Sequence, residues 1–304
     1  MIEALRDLPW EAPHTFLGLD GADGDFDRAR AVLLPVPYES TTSYGGGTRE
    51  GPRTIIEASR YVELFDQELG GEPALGYGVH TLPSLELTKA GAAHAMEQLG
   101  EAYARVAEAC DDRFLLMLGG EHSLTGPAVL AQAERSDTRL SVLQMDAHAD
   151  LRRSYEGTPH SHAAVMGRVL DRVDVVGVGI RATSEEEQAL SEATSGSELV
   201  WADAMWESDR WMDRALDALG PRVYLTFDVD YFDPSLVPST GTPEPGGGDW
   251  YRTLRFLKRV FAEREVVAAD VVEHAPMAGN HAPDFLIAKL VYKLLSYRFA
   301  SELG

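Results

Sequence analysis

The sequence predicts an α/β protein of three layers, helices on both faces of a central, mainly parallel sheet. Three observations carry that expectation. Short apolar runs recur along the chain, they are continuous rather than alternating, and helix-length stretches separate several of them. A strand covered on both faces has no polar side to show, so it reads as an unbroken run, and a parallel crossover needs a dozen or more residues between strands.

Taken in order, the runs are Ala31 to Val36 (AVLLPV), Phe114 to Leu118 (FLLML), Leu140 to Gln144 (LSVLQ), Val173 to Ile180 (VDVVGVGI), Val223 to Phe227 (VYLTF) and Val266 to Val272 (VVAADVV). Helices are predicted over Ala90 to Ala109, Asp203 to Leu219, Tyr251 to Arg264 and Pro283 to Ser301. Glycine-rich patches at Tyr44 to Gly47, Gly119 to Gly120 and Gly246 to Gly248 fall at predicted turns. No internal repeat or low-complexity linker divides the chain, so residues 1–304 are read as a single domain, with residues 1–30 as an N-terminal extension.

Composition narrows the partners. The 304 residues carry 27 Lys+Arg against 49 Asp+Glu, a formal net charge of −22. A surface of that sign repels phosphate, which argues against nucleic acid and anionic membranes as partners. The single Cys110 excludes an intrachain disulfide and a thiolate metal cluster. The opening MIEALRDLPWEAP lacks a basic-then-apolar signal, and no apolar run reaches 18 residues, so a soluble, cytoplasmic protein is expected. Two readings of the excess acid stay open: a field that steers a dicationic substrate, or adaptation to a salty cytoplasm, which the scarcity of lysine (Lys89, Lys258, Lys289 and Lys293) also fits.

Acids and histidines cluster just past three of the apolar runs, where open α/β sheets place their binding crevice. FLLML leads into Gly119-Gly120-Glu121-His122-Ser123, LSVLQ into Met145-Asp146-Ala147-His148-Ala149-Asp150, and VYLTF into Asp228-Val229-Asp230-Tyr231-Phe232-Asp233. In extended chain, residues i and i+2 point the same way, which pairs Asp146 with His148 and Asp228 with Asp230. Asp150 would lie about 13 Å from Asp146 if the strand ran straight, at roughly 3.3 Å per residue. Two metals in a shared site stand about 3.5 to 4 Å apart. The chain must therefore curl if Asp150 also serves, and the small Ala147 and Ala149 leave room.

Four carboxylates facing one crevice repel one another unless cations neutralise them, and two divalent ions balance four carboxylates with neutral histidines. Oxygen-rich ligation with imidazole and no thiolate suits Mn²⁺, with Fe²⁺, Co²⁺ and Zn²⁺ as alternatives. Water between two such ions loses a proton near neutral pH, which predicts metal-assisted hydrolysis. A calcium loop at DVDYFD fails, because Asp233 stands where that loop needs glycine and Ser239 where it needs glutamate. A phosphate loop fails because Gly119-Gly120 leads into Glu-His rather than Lys-Ser.

At GGEHS, DAHAD and TFDVDYFDPSLVPSTGTPEPGG the sequence resembles the ureohydrolases, the arginase and agmatinase family. Thr226 stands where that family's third signature usually has serine. The resemblance continues through VPYESTTSYGGGTREGPRTI, GVGIR and DVVEHAP, nearly the whole chain beyond about residue 30. It implies an arginase-like fold and two Mn²⁺ ions, one held by His122, Asp146, Asp150 and Asp228, the other by Asp146, His148, Asp228 and Asp230. It further implies that His162 shuttles a proton to the leaving amine and that Glu273 pairs with the substrate guanidinium, the two forming a catalytic set with Asp150. Neighbouring His160 competes for the shuttle assignment. Self-association into a trimer or hexamer is implied as well.

The segments VPYESTTSYGGGTR, DLRRSYEGTPHSHA and TGTPEPGG look most like agmatinases. Agmatine, cleaved to putrescine and urea in polyamine biosynthesis, is thus the expected substrate, with Glu156 as a candidate contact for its distal ammonium. N1-aminopropylagmatine, guanidinobutyrate and arginine are the alternatives, since Arg152 and Arg153 could welcome a carboxylate and His274 stands where a small apolar residue is usual. A non-catalytic metal-binding paralogue is the reading from another class. A one-zinc deacetylase-like relative would not need both D-x-H and D-x-D pairs.

Overall fold

A computed structural model describes residues 11–302. Residues 1–10, which open the proposed N-terminal extension, lie outside the described residues. Part of the remainder of that segment is packed: Phe16, Leu17 and Leu19 are buried in the core.

Eight strands form one sheet: β1 (Ala31–Val36), β2 (Val79–Thr81), β3 (Phe114–Gly119), β4 (Ser141–Met145), β5 (Asp174–Ile180), β6 (Ser197–Trp201), β7 (Arg222–Asp228) and β8 (Glu265–Val272). They lie in the order β2-β1-β3-β8-β7-β4-β5-β6, and every pairing is parallel. The six predicted runs are β1, β3, β4, β5, β7 and β8. The two strands not predicted, β2 and β6, are the edges.

The continuous apolar runs have the cause expected of them. Along β1, Ala31 and Leu33 enter one buried cluster while Val32, Leu34 and Val36 enter the other. The first cluster is closed by the helices Gly51–Ser59, Arg210–Ala218, Trp250–Glu263 and Ala282–Phe299, through Ile55, Trp211, Phe256 and Leu294. The second is closed by Ala92–Cys110 and Thr125–Glu134, through Leu99, Tyr103 and Val129. Alternate side chains thus leave opposite faces, and both faces are covered. The predicted helix Asp203 to Leu219 is interrupted: Ala202–Glu207 ends before Ser208, whose extended backbone (φ −166°) resets the direction for Arg210–Ala218.

β8 and β7 are inserted between β3 and β4, so the chain leaves β3 on one side of the later pair and re-enters on the other. That reversal of strand order opens a crevice at the C-terminal ends of four neighbouring strands. Among the described residues no helix is long and apolar enough to cross a membrane.

Candidate active site

The ends of β3, β8, β7 and β4 each deliver an acid or a histidine into this crevice. After β3 the chain passes Gly120, where an added Cβ would lie 1.8 Å from the carbonyl oxygen of Tyr38. Only glycine allows that approach, which docks Glu121 and His122 beside the end of β1 through Glu121 N–H donating to Tyr38 O at 3.0 Å. After β8, Glu273 adopts φ 64°, a left-handed conformation unfavourable for a residue with a side chain. Its amide donates to Gly120 O at 2.8 Å, and its Oε1 accepts the His122 amide at 2.6 Å.

The two D-x-[HD] pairs arise differently from the extended-chain expectation. Asp146 and His148 lie beyond the end of β4, and Asp230 sits in the 3-10 turn Val229–Tyr231 after β7. In both, the first aspartate turns the chain by accepting the amide two residues on, His148 N–H to Asp146 Oδ1 at 2.6 Å and Asp230 N–H to Asp228 Oδ1 at 2.9 Å. Such turns let short acids serve at once as backbone caps and as inward-facing carboxylates. The curl required of Asp150 is present: its φ is 51°, and the small Ala147 and Ala149 are buried.

His122 Nδ1 lies 3.0 Å from Asp150, 3.2 Å from Asp146 and 3.4 Å from Asp228. His148 Nδ1 lies 2.9 Å from Asp230 and 3.7 Å from Asp146. Two groups are therefore spaced to hold a cation, His122 with Asp146 and Asp228, and Asp146 with His148 and Asp230, Asp146 belonging to both. Burial and the charges of Asp230 and Asp150 push Asp146 up to about 7. Burial, then Asp230 and Asp146, push Asp228 well above the carboxylate range. For Asp230 burial is outweighed by His148, which brings it down to about 2. His148 is lifted to about 11, the carboxylates outweighing burial.

A chain of hydroxyls explains why His122 presents Nδ1 to the acids. Thr226 Oγ1 donates to Asp270 Oδ1 at 2.6 Å, while Tyr224 OH donates to Asp270 Oδ2 at 2.7 Å. Having given its only proton away, Thr226 can only accept at the 2.9 Å contact with His122 Nε2. Nε2 thus carries the hydrogen and Nδ1 is left with a lone pair, buried and without a hydrogen-bond partner. That nitrogen, facing three carboxylates, is a place for a cation: a proton in the metal-free chain, where burial is outweighed by Asp146, Asp150 and Asp228, which hold His122 well above its ordinary value, or a metal ion in the proton's stead. The donor set fits a metal on that ground. The position that departs from the family signature, Thr226, is thus in direct contact with a candidate ligand.

A polar cleft of about 440 Å³ reaches the site at His148 and Asp150 and is lined also by Ser43, Tyr155, His162 and Glu244, while Glu273 is not among its lining residues. His162 begins the 3-10 turn His162–Ala164, with its ring edge-on to Tyr155 at 5.9 Å. Its competitor His160 lines a different hollow with Arg168. Glu156 is exposed at the tip of the Tyr155–Thr158 turn and is not among the lining residues. Arg152 stacks on Tyr155 at 5.0 Å and stands 3.6 Å from Glu187, so its charge is already matched; Arg153 is exposed. His274 is fully buried and turned away, its Nε2 2.9 Å from Asp284 at the start of Ala282–Phe299. Burial pushes Glu273 well above the carboxylate range, the His122 amide opposing and Glu121 adding to it. A larger hollow of about 760 Å³ between Phe65, Trp250 and Lys289 touches none of these groups.

The comparisons agree with this architecture. The family model described as the arginase family matches residues 29–296. The chain is 37% identical over 295 residues to an N(1)-aminopropylagmatine ureohydrolase of Synechocystis sp., covering 94% of each chain. It is 33% identical to an agmatinase of Bacillus cereus, covering 83% of this chain and 86% of that one. The agmatine ureohydrolase of Thermoplasma volcanium superposes with a TM-score of 0.81 at 28% identity, covering 92% and 94%. With one parallel sheet, acids and histidines at four neighbouring strand ends and matches along nearly its whole length, this chain belongs to the arginase family of ureohydrolases.

Proposed function

We propose that the chain is a dinuclear manganese ureohydrolase that cleaves the guanidinium group of N1-aminopropylagmatine, releasing urea and a linear triamine. The observation that carries this reading is the pair of acid–histidine groups sharing Asp146 beneath a polar cleft. Three relatives named for N1-aminopropylagmatine share 37% identity with this chain and a fourth, from Thermococcus kodakarensis, 31%, against 33% for the Bacillus cereus agmatinase; the three at 37% rank the longer substrate first. Agmatine, with the same guanidinium and a shorter tail, is the second reading.

His122, Asp146, Asp150 and Asp228 would hold one ion, and Asp146, His148, Asp228 and Asp230 the other. When bound, two divalent cations neutralise the four carboxylates and activate water for attack on the guanidinium carbon. The chain's own residues do the rest. Glu273, buried and held by the His122 amide, presents its carboxylate for the planar guanidinium, and an arriving cation compensates the burial of its charge. His162 at the cleft wall supplies a proton to the departing nitrogen. For the tail, Glu244 replaces Glu156 as the candidate contact. It lines the cleft, and its carboxylate has no ion pair or hydrogen bond among the described residues.

Urea release by the Mn²⁺-loaded protein from N1-aminopropylagmatine, agmatine, arginine and guanidinobutyrate tests the reading. The triamine precursor should give the highest kcat/KM. A preference for arginine sinks the tail assignment, and silence with all four returns the non-catalytic paralogue. Glu244→Gln should raise KM for the polycation about tenfold, the worth of one charge-assisted contact. Glu156→Gln should leave it within about twofold. Self-association into a trimer or hexamer belongs to the same proposal and is read by light scattering.

A further inference from the structure

We infer that Thr41 and Glu121 fix the tautomer of His162, placing its hydrogen on Nδ1 and leaving Nε2 as the nitrogen that exchanges a proton in the cleft. The inference rests on the proposed proton-transfer role of His162 and concerns how the fold prepares that residue.

Glu121 is fully buried and accepts four hydrogen bonds. The amides of Ser40 and Thr41 donate to Oε2, both at 2.6 Å, and the hydroxyls of Ser123 and Thr41 donate to Oε1 at 2.6 and 2.8 Å. Thr41 thereby commits its one hydroxyl hydrogen to a carboxylate, the stronger of its available acceptors. What remains on Thr41 Oγ1 is lone pairs. One accepts the His162 amide at 3.1 Å, and the other faces His162 Nδ1 at 3.2 Å. If Nδ1 were bare, two lone pairs would confront each other; with a hydrogen on Nδ1, the contact is a hydrogen bond. Ser161 Oγ, 3.3 Å from the same nitrogen, can accept or donate and so does not decide the matter. Thr41 does, because its hydrogen is spoken for. Thr41 and Glu121 touch no reacting atom in this account and are positioning residues.

The tautomer is read directly by ¹⁵N magic-angle-spinning NMR of ¹⁵N-histidine-labelled, Mg²⁺-loaded protein, above the histidine titration range, with His162 assigned by difference from His162→Asn. Wild-type His162 should show a protonated, pyrrole-like Nδ1 and a bare, pyridine-like Nε2; the reverse pattern overturns the inference without reference to activity. Thr41→Val keeps the shape and removes the acceptor. It should shift His162 toward the Nε2–H form and lower kcat of the Mn²⁺-loaded enzyme about tenfold, within the range of general acid–base contributions, with KM changed less than about twofold. Thr41→Ser should restore both the spectrum and kcat. An unchanged spectrum and kcat in Thr41→Val would overturn the assignment. An unchanged kcat in His162→Asn would overturn the proton-transfer role itself, while the wild-type ¹⁵N pattern still decides the tautomer.

Discussion

His122 and His148 stand on either side of Asp146, yet the fold holds them to different degrees. His122 has 1% of its side chain exposed and is pinned from behind by Thr226, Asp270 and Tyr224. His148 has 26% exposed, faces the cleft, and has no comparable bond behind its ring among the described residues. His122 follows β3 directly and its supports lie on β7 and β8, whereas His148 lies in the loop after β4 and its neighbour Asp230 in the turn after β7, Asp146 being common to both halves. Strand ends give a fixed donor, and loops give an accessible one. The His122 side should therefore bind its cation more tightly and exchange it more slowly than the His148 side.

Asp146→Ala removes the carboxylate common to both halves and should have the largest effect. Urea release should fall by about a thousandfold or more, with both cations lost on metal analysis. Retention of one tightly bound cation would show that the halves are less joined than their shared ligand implies. Thr226→Val should act on one half alone, weakening the tighter of two binding phases about 10- to 100-fold in a competitive chelator titration, with Thr226→Ser restoring it. An equal loss in both phases would break the comparison.

The smallest effect is the pH dependence of the metal-free chain. Asp146, lifted from 3.8 to about 7, is protonated in the fold while the unfolded chain has already ionised. The folded state therefore binds more protons across that window, and stability falls as pH rises through it. His148, lifted from 6.5 to about 11, acts with the same sign: its contribution is complete below 6.5 and is lost as pH climbs toward about 11. Asp230, lowered to about 2, works oppositely, losing its contribution as pH falls from 3.8 toward 2. Calorimetry of the chelated protein should show Tm falling from about pH 5 to about pH 9, and Mn²⁺ should flatten the trend. A rising Tm over that range would contradict the packing of these acids against one another.

Much of this was legible in the sequence, for identifiable reasons. Strands β1 and β3 read plainly because helices cover both their faces. Edge strands β2 (Val79-His80-Thr81) and β6 (Ser197–Trp201) did not, because they are partly exposed and carry polar residues among the apolar ones. The candidate ligands stood out through their clustering after strand ends, although the pairs turn through side-chain caps rather than through the pleat. Glu156 drew attention by its place in a suggestive loop, and its exposed position outside the cleft follows only from the fold. Thr41 lies within VPYESTTSYGGGTR, but nothing in the sequence ties it to the histidine 121 residues away that it contacts.

The sequence by itself determined which side chains could hold cations and that they would gather at one edge of a parallel sheet. Residue types and apolar runs are local properties of the chain. Only the tertiary structure decided which nitrogen of His122 or His162 is free to act. That choice depends on a threonine hydroxyl whose single hydrogen is claimed by a third residue, Asp270 for Thr226 and Glu121 for Thr41, and distant segments meet in this way only when the chain is folded.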